Sequence, residues 1–218
     1  MISGELLEKI VYTSFRRAWE EDRGGFPPPS DIVYVTEITQ CLRKSWYRRT
    51  LAEPPSDNKV VLMVMGDGAH FLLKESFPLG AGEELVEREY EGVKIRGRVD
   101  RLLEDSLIEF KTVSRIPKQP YDSHVAQSQL YMWLFNKPKA YIVYVSRSDG
   151  RVKAYEIARD EEAIASLLQR VKKFSDALKK GAIPEPEQSK LCEYCEYLNI
   201  CSAREETNGK DTSATESS

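Results

Sequence analysis

Three of the four cysteines fall within ten residues near the end of the chain, as Cys192-x2-Cys195-x5-Cys201, and the fourth, Cys41, stands near its beginning. If the four thiols share one centre, the C-terminal segment must return to the helices that open the chain, and few topologies allow that. A cytosolic protein has little use for disulfides, so the cluster reads first as a four-thiolate metal site. Zinc and an iron-sulfur cluster both accept four cysteines. Structural zinc modules are more often built from two local C-x2-C pairs, whereas here one ligand comes from the far end of the chain. Closing so long a loop through metal bonds restricts the unfolded chain and clasps the N-terminal helices to the C-terminus.

The second constraint is the stretch from Gly97 to Thr112. Val99, Leu103, Ile108 and Phe110 alternate with polar residues on either side of Asp105-Ser106, which predicts two short strands in a hairpin. With a two-residue loop at that pair, Glu104 faces Leu107, Leu102 faces Glu109 and Asp100 faces Lys111, so Asp100, Glu109 and Lys111 project from one face. Magnesium and manganese prefer oxygen ligands, and a neighbouring Asp and Glu supply them. A Lys beside them can hold a metal-bound water or stabilise charge on an attacked phosphate. The bland alternative is a cross-strand ion pair between Asp100 and Lys111 on a wet sheet face.

Helical periodicity is expected over residues 4 to 22, ended by the run Gly24-Gly25-Phe26-Pro27-Pro28-Pro29. A second helix is expected from an N-cap at Thr36, with Glu37 in its first turn, through Cys41, Trp46 and Tyr47 to about residue 51. A third spans roughly Asp57 to Phe77 and carries His70 behind Gly66-Asp67-Gly68-Ala69, where two glycines suggest a close approach. Residues 84 to 90 read as a strand. A helix follows from about Ser123 to Phe135, with Gln127 and Tyr131 four residues apart on one face. Residues 139 to 146 and 151 to 157 flank Ser148-Asp149-Gly150 as a hairpin, and a long helix over 160 to 180 ends at Gly181. The order predicts an α/β or α+β fold with a mixed sheet of about five strands flanked by helices.

A length of 218 residues suits one domain, expected over residues 1 to 201 with a disordered Ser/Thr/Glu-rich tail over 202 to 218. No apolar run is long enough to span a bilayer and the start, Met-Ile-Ser-Gly-Glu, is no signal peptide, so a cytoplasmic protein without membrane attachment is expected. The net charge of -3 does not mark a protein that coats nucleic acid. Local basic clusters remain, and Arg48 with Trp46 and Tyr47 are candidate walls for a single-stranded nucleic acid.

Taken together, these residues resemble the RecB-like branch of the PD-(D/E)xK nucleases, and within it the small CRISPR-associated Cas-four exonucleases. His70 matches the family's helical His, Gly97-Arg-Val-Asp100 its Asp motif, Glu109-Phe-Lys111 its Glu-x-Lys motif and Gln127-x-x-x-Tyr131 its Q-x-x-x-Y motif. Cys41 with Cys192, Cys195 and Cys201 matches its one-plus-three iron-sulfur pattern. The resemblance implies a PD-(D/E)xK restriction-endonuclease-like core whose N- and C-terminal segments are joined by the cluster, 4Fe-4S ahead of 2Fe-2S. It implies a magnesium- or manganese-dependent deoxyribonuclease with His70, Asp100, Glu109 and the Phe110 carbonyl as metal ligands. Lys111 would orient or activate the water, and Gln127 and Tyr131 would hold DNA or the Lys near the scissile phosphate. The implied substrate is single-stranded DNA degraded from an end, 5′ to 3′, in the trimming of fragments for CRISPR spacer acquisition. A CRISPR integrase complex and a second copy of the chain are the implied partners. A repair or flap endonuclease of the same fold, and a non-catalytic scaffold subunit of the integration complex, are the competing readings.

Overall fold

The computed structural model describes residues 3–21, 29–51 and 54–201, apart from the side chain of Lys74. The expected tail and most of the Gly/Pro run after residue 22 lie outside the described residues. Two helices, α1 (Gly4–Glu21) and α4 (Asp57–Ser76), pack on each other. Tyr12 Oη donates to Asn58 Oδ1 at 2.9 Å and Arg16 Nε to Asp57 Oδ1 at 2.9 Å.

Among the described residues, seven strands form two sheets. The first has the order β1-β3-β2, from β1 (Ile32–Tyr34), β2 (Glu84–Tyr90) and β3 (Val93–Val99), with β1 parallel and β2 antiparallel to β3. The second has the order β4-β5-β6-β7, from β4 (Arg101–Leu102), β5 (Ser106–Val113), β6 (Lys139–Ser146) and β7 (Val152–Ala158), with β5 and β6 parallel. This differs from the single five-stranded sheet expected. The chain passes directly from β3 into β4 through Asp100, where the ladder breaks, and β1 is too short to show a period.

The helix expected from Thr36 to residue 51 is two helices, α2 (Val35–Ile38) and α3 (Leu42–Thr50). Thr36 lies inside α2, Tyr34 takes the N-cap position in an extended conformation, and Cys41 takes that of α3 with φ -54° and ψ 122°. The break follows from a buried ion pair. Arg49 grips Glu37 with Nε at 2.6 Å and Nη2 at 2.7 Å, and Glu37 also accepts from the Tyr34 N–H at 2.8 Å. One straight helix could not return Arg49 to a residue twelve positions earlier. A buried pair of this kind costs about 3–5 kcal/mol to break by removing one partner.

The helix α5 (Asp122–Phe135) touches both sheets, and α6 (Glu161–Lys180) packs beside it. Gly97 lets α5 come close. A Cβ there would meet Tyr131 Cε1 at 2.5 Å, Val35 Cγ2 at 2.9 Å and Leu134 Cδ1 at 3.1 Å. The glycines of α4 have no such neighbour among the described residues: Gly66 meets Thr112 Oγ1 only at ordinary contact, 3.6 Å, and Gly68 has nothing within 4 Å.

At the start of α5 the buried Tyr144 hydroxyl accepts from the Tyr121 N–H at 3.1 Å and lies 2.8 Å from His124 Nδ1. Burial, aided by the charge of Lys111, pushes His124 down to about 4.

Two stability predictions come from this packing. Gly97→Ala should destabilise the protein by about 1–3 kcal/mol, read as a lowered urea midpoint, because the atoms in the way belong to a closed core; an unchanged midpoint would sink the account. His124 has a folded pKa below its unfolded value of 6.5, so the unfolded chain binds more protons between the two, and stability present above pH 6.5 is lost as pH falls toward about 4. The full shift corresponds to about 3 kcal/mol, and solvent screening of a half-buried ring leaves roughly half of it. His124→Asn should therefore lose less stability than the wild type over that range. Parallel profiles from urea titrations at several pH values would refute it.

Candidate active site

The β4–β5 hairpin turns at Glu104-Asp105, with the Leu103 N–H donating to the Ser106 carbonyl at 2.9 Å. Arg101 pairs with Ile108 and Leu102 with Leu107. The register is therefore shifted by two residues from the one expected at Asp105-Ser106, and Asp100 stands opposite Glu109 rather than Lys111. A slip of two preserves the pleat, so Asp100, Glu109 and Lys111 still converge. β5 starts at Ser106 because that residue already pairs with Lys139 of β6, and Lys139 also holds Asp105 at 3.0 Å.

Four side chains meet there. The Phe110 N–H donates to Asp100 Oδ2 at 2.7 Å, and the Asp100 N–H to Glu109 Oε1 at 3.3 Å. Lys111 Nζ donates to Glu109 Oε2 at 3.1 Å. From α4, His70 Nδ1 reaches Asp100 Oδ1 at 3.2 Å. Glu109 is 2 % exposed, and desolvation holds its carboxyl well above the usual range, Lys111 pulling it down and Asp100 pushing it up. The hydrogen bond to Asp100 raises His70, against the opposing effect of burial. Phe110 turns its ring away, edge-on to Phe77 at 5.3 Å.

On α5, Gln127 Nε2 donates to Tyr131 Oη at 3.1 Å. Both side chains are buried, and burial followed by the nearby Glu109 charge raises the Tyr131 phenol. His124 shares their helix face at i, i+3 and i+7, and Tyr144 is the cross-strand partner of Lys111. Sequence reasoning passed over both. The spacing of His124 before Gln127 was a signal that could have found it.

The donor chemistry around Asp100 and Glu109 suits a hard divalent cation, since two facing carboxylates offer the oxygen ligands that such an ion prefers. Residues 190–201 form two 3-10 turns, Lys190–Tyr194 and Leu198–Ile200, and lie on α3 and α4. Tyr47 Oη donates to the Ile200 carbonyl at 3.1 Å and its ring lies 5.4 Å from that of Tyr197, while Glu196 takes Lys44 at 3.4 Å and Lys59 at 2.7 Å. Tyr47 is thereby buried as a docking residue, not a wall of a nucleic-acid groove. Cys41, Cys192, Cys195 and Cys201 are all free thiols and half-buried. Burial raises the Cys195 thiol, and Cys41 is near enough to add to the effect. Among the described residues, no group of three or more His, Cys, Asp or Glu side chains is gathered tightly enough to hold a metal ion. No helix among them is long and apolar enough to cross a membrane.

The chain is similar over nearly all its length to the CRISPR-associated exonuclease Cas4 of Saccharolobus solfataricus, at 27% identity over 219 residues, covering 94% of this chain and 99% of the relative. The crystal structure of SSO0001 superposes with a TM-score of 0.66 at 28% identity, covering 89% of this chain and 96% of that one. A family model described as the PD-(D/E)XK nuclease superfamily matches residues 6–202, and with so much of its length matched the chain belongs to that superfamily.

Proposed function

We propose that this protein is a magnesium- or manganese-dependent exonuclease that degrades single-stranded DNA from an end, 5′ to 3′, and trims fragments for CRISPR spacer acquisition. The observation that carries the reading is the buried Glu109 carboxyl set against Asp100, with Lys111 and His70 at hydrogen-bond distance from the pair. Family membership supports a nuclease, and the relative named a CRISPR-associated exonuclease supports both the exonuclease activity and the CRISPR setting. An integrase complex and a second copy of the chain are the proposed partners.

Asp100, Glu109, His70 and the Phe110 carbonyl are the proposed metal ligands. The bound ion would acidify a water and neutralise charge on the attacked phosphate. Lys111, anchored on Glu109, places its ammonium beside that phosphate, where it can orient the water or stabilise developing charge. Gln127 and Tyr131 back the site from α5, as a hydrogen-bonded pair whose position depends on Gly97. Cys41, Cys192, Cys195 and Cys201 are proposed to hold an iron-sulfur cluster, 4Fe-4S ahead of 2Fe-2S, that clasps the C-terminal segment to α3. Support comes from the four free thiols and from the contacts of Tyr47 and Glu196 that already dock this segment.

End-labelled single-stranded oligonucleotide incubated with anaerobically purified protein should be laddered from one end with manganese or magnesium and left intact with EDTA. Asp100→Ala and Lys111→Ala should each reduce the rate by at least about 100-fold while keeping the circular dichroism spectrum of the wild type; undiminished cleavage by either variant contradicts the site. Cys192→Ala should lose bound iron, visible absorbance and thermal stability together. A variant with the iron content and melting temperature of the wild type would remove Cys192 from the cluster.

A further inference from the structure

Cross-strand pairing puts Lys111 of β5, Tyr144 of β6 and Lys153 of β7 in one row across the second sheet, on the face that α5 covers. The row starts at the carboxylate pair and ends at the outer strand, two strand spacings or about 10 Å away. Its middle is roofed by the first turn of α5. Tyr144 lies edge-on to Tyr121 at 6.0 Å and beside His124 at 5.6 Å. Tyr121, 48 % exposed, offers an aromatic surface to solvent. The Tyr144 hydroxyl accepts from the Tyr121 N–H and shares a hydrogen bond with His124 Nδ1, which fixes the first turn of α5 on the sheet. Beyond the roof, Tyr155 Oη donates to the Pro117 carbonyl at 2.5 Å, with the Lys118 carbonyl at 3.2 Å, and so ties the loop after β5 to this face. The Lys153 ammonium lies 4.5 Å from the Tyr155 ring centre. Lys118 and Lys153 are both exposed.

We infer that the surface over this row is the track along which a single-stranded nucleic acid runs to or from the carboxylate pair, with Lys118 and Lys153 on its phosphates and Tyr121 stacked on a base. The inference rests on the nuclease reading above and assigns residues that reading does not use. Aromatic surface interleaved with cations fits a single strand better than a duplex, because unstacked bases can lie on the ring whatever their identity. Asp122, in the first turn of α5, is an acidic neighbour that limits how far the strand can approach the helix end. The ordinary alternative is that Lys153 guards an exposed sheet edge against pairing.

The test is fluorescence anisotropy of a labelled oligothymidylate, read with EDTA present so that no cleavage occurs, together with cleavage kinetics in manganese. Lys118→Glu/Lys153→Glu should weaken binding by about tenfold or more. Its slope of log affinity against log salt should be shallower by about 1.4, two phosphate contacts at about 0.7 each. Tyr121→Ala should weaken binding at least about fivefold, with the salt slope kept. In both variants KM should rise while kcat changes less than about twofold. Lys173→Glu, on the exposed face of α6, serves as the charge control. If the wild type cleaves and the track variants bind and cleave with its KM and salt slope, the track is overturned and the nuclease reading stands. If binding falls as much in Lys173→Glu as in the double variant, the effect is one of net charge and the track is likewise overturned. A wild type that neither binds nor cleaves the oligonucleotide overturns both.

Discussion

The architecture depends on a contact that a single methyl group would abolish. Because residue 97 has no side chain, the Tyr131 ring lies directly on the backbone of β3, and α5 settles close enough to touch both sheets. That one helix brings Tyr131 beside Glu109, Gln127 behind it and His124 over the row that begins at Lys111. Interiors packed at crystal-like density have little slack, so a few tenths of an ångström at Gly97 would be felt at the carboxylates.

Asp100 serves the fold and the site with the same atoms. Its position breaks the strand that would otherwise run unbroken from β3 into β4, and its carboxylate accepts the Phe110 N–H. The other oxygen faces His70. Glu109 receives the Asp100 N–H in return, so each carboxylate is fixed by the other strand's backbone. Groups held this way lose little freedom when a ligand arrives, which is the condition for electrostatic preorganisation.

Elements with a full period were legible in the sequence: α1, α4 and α6 from helical spacing, β2, β6 and β7 from alternation, as was the convergence of Asp100, Glu109 and Lys111. The shared face survived an error in the turn because only odd slips invert a strand. Neither candidate turn pair contains glycine, so local chemistry could not choose between Glu104-Asp105 and Asp105-Ser106; pairing of β5 with β6 chose. The break between α2 and α3 was hidden because it depends on Arg49 returning to Glu37, a tertiary event that overrides a helical pattern. Tyr47, which looked like a groove wall, is committed to Ile200 at the other end of the chain, a contact no local window contains.

The site and the cysteine segment also differ in how far apart their parts lie along the chain. Asp100, Glu109, Lys111, Gln127 and Tyr131 are supplied by one short stretch, whereas Lys44 and Tyr47 of α3 must wait for Glu196 and Ile200. At synthesis rates of about 5–20 residues per second, the intervening chain takes roughly 8–30 s to emerge. Throughout that time α3 is without the segment that docks on it. The docking of residues 190–201 on α3 is thus a contact that cannot form until the chain has been made as far as residue 200.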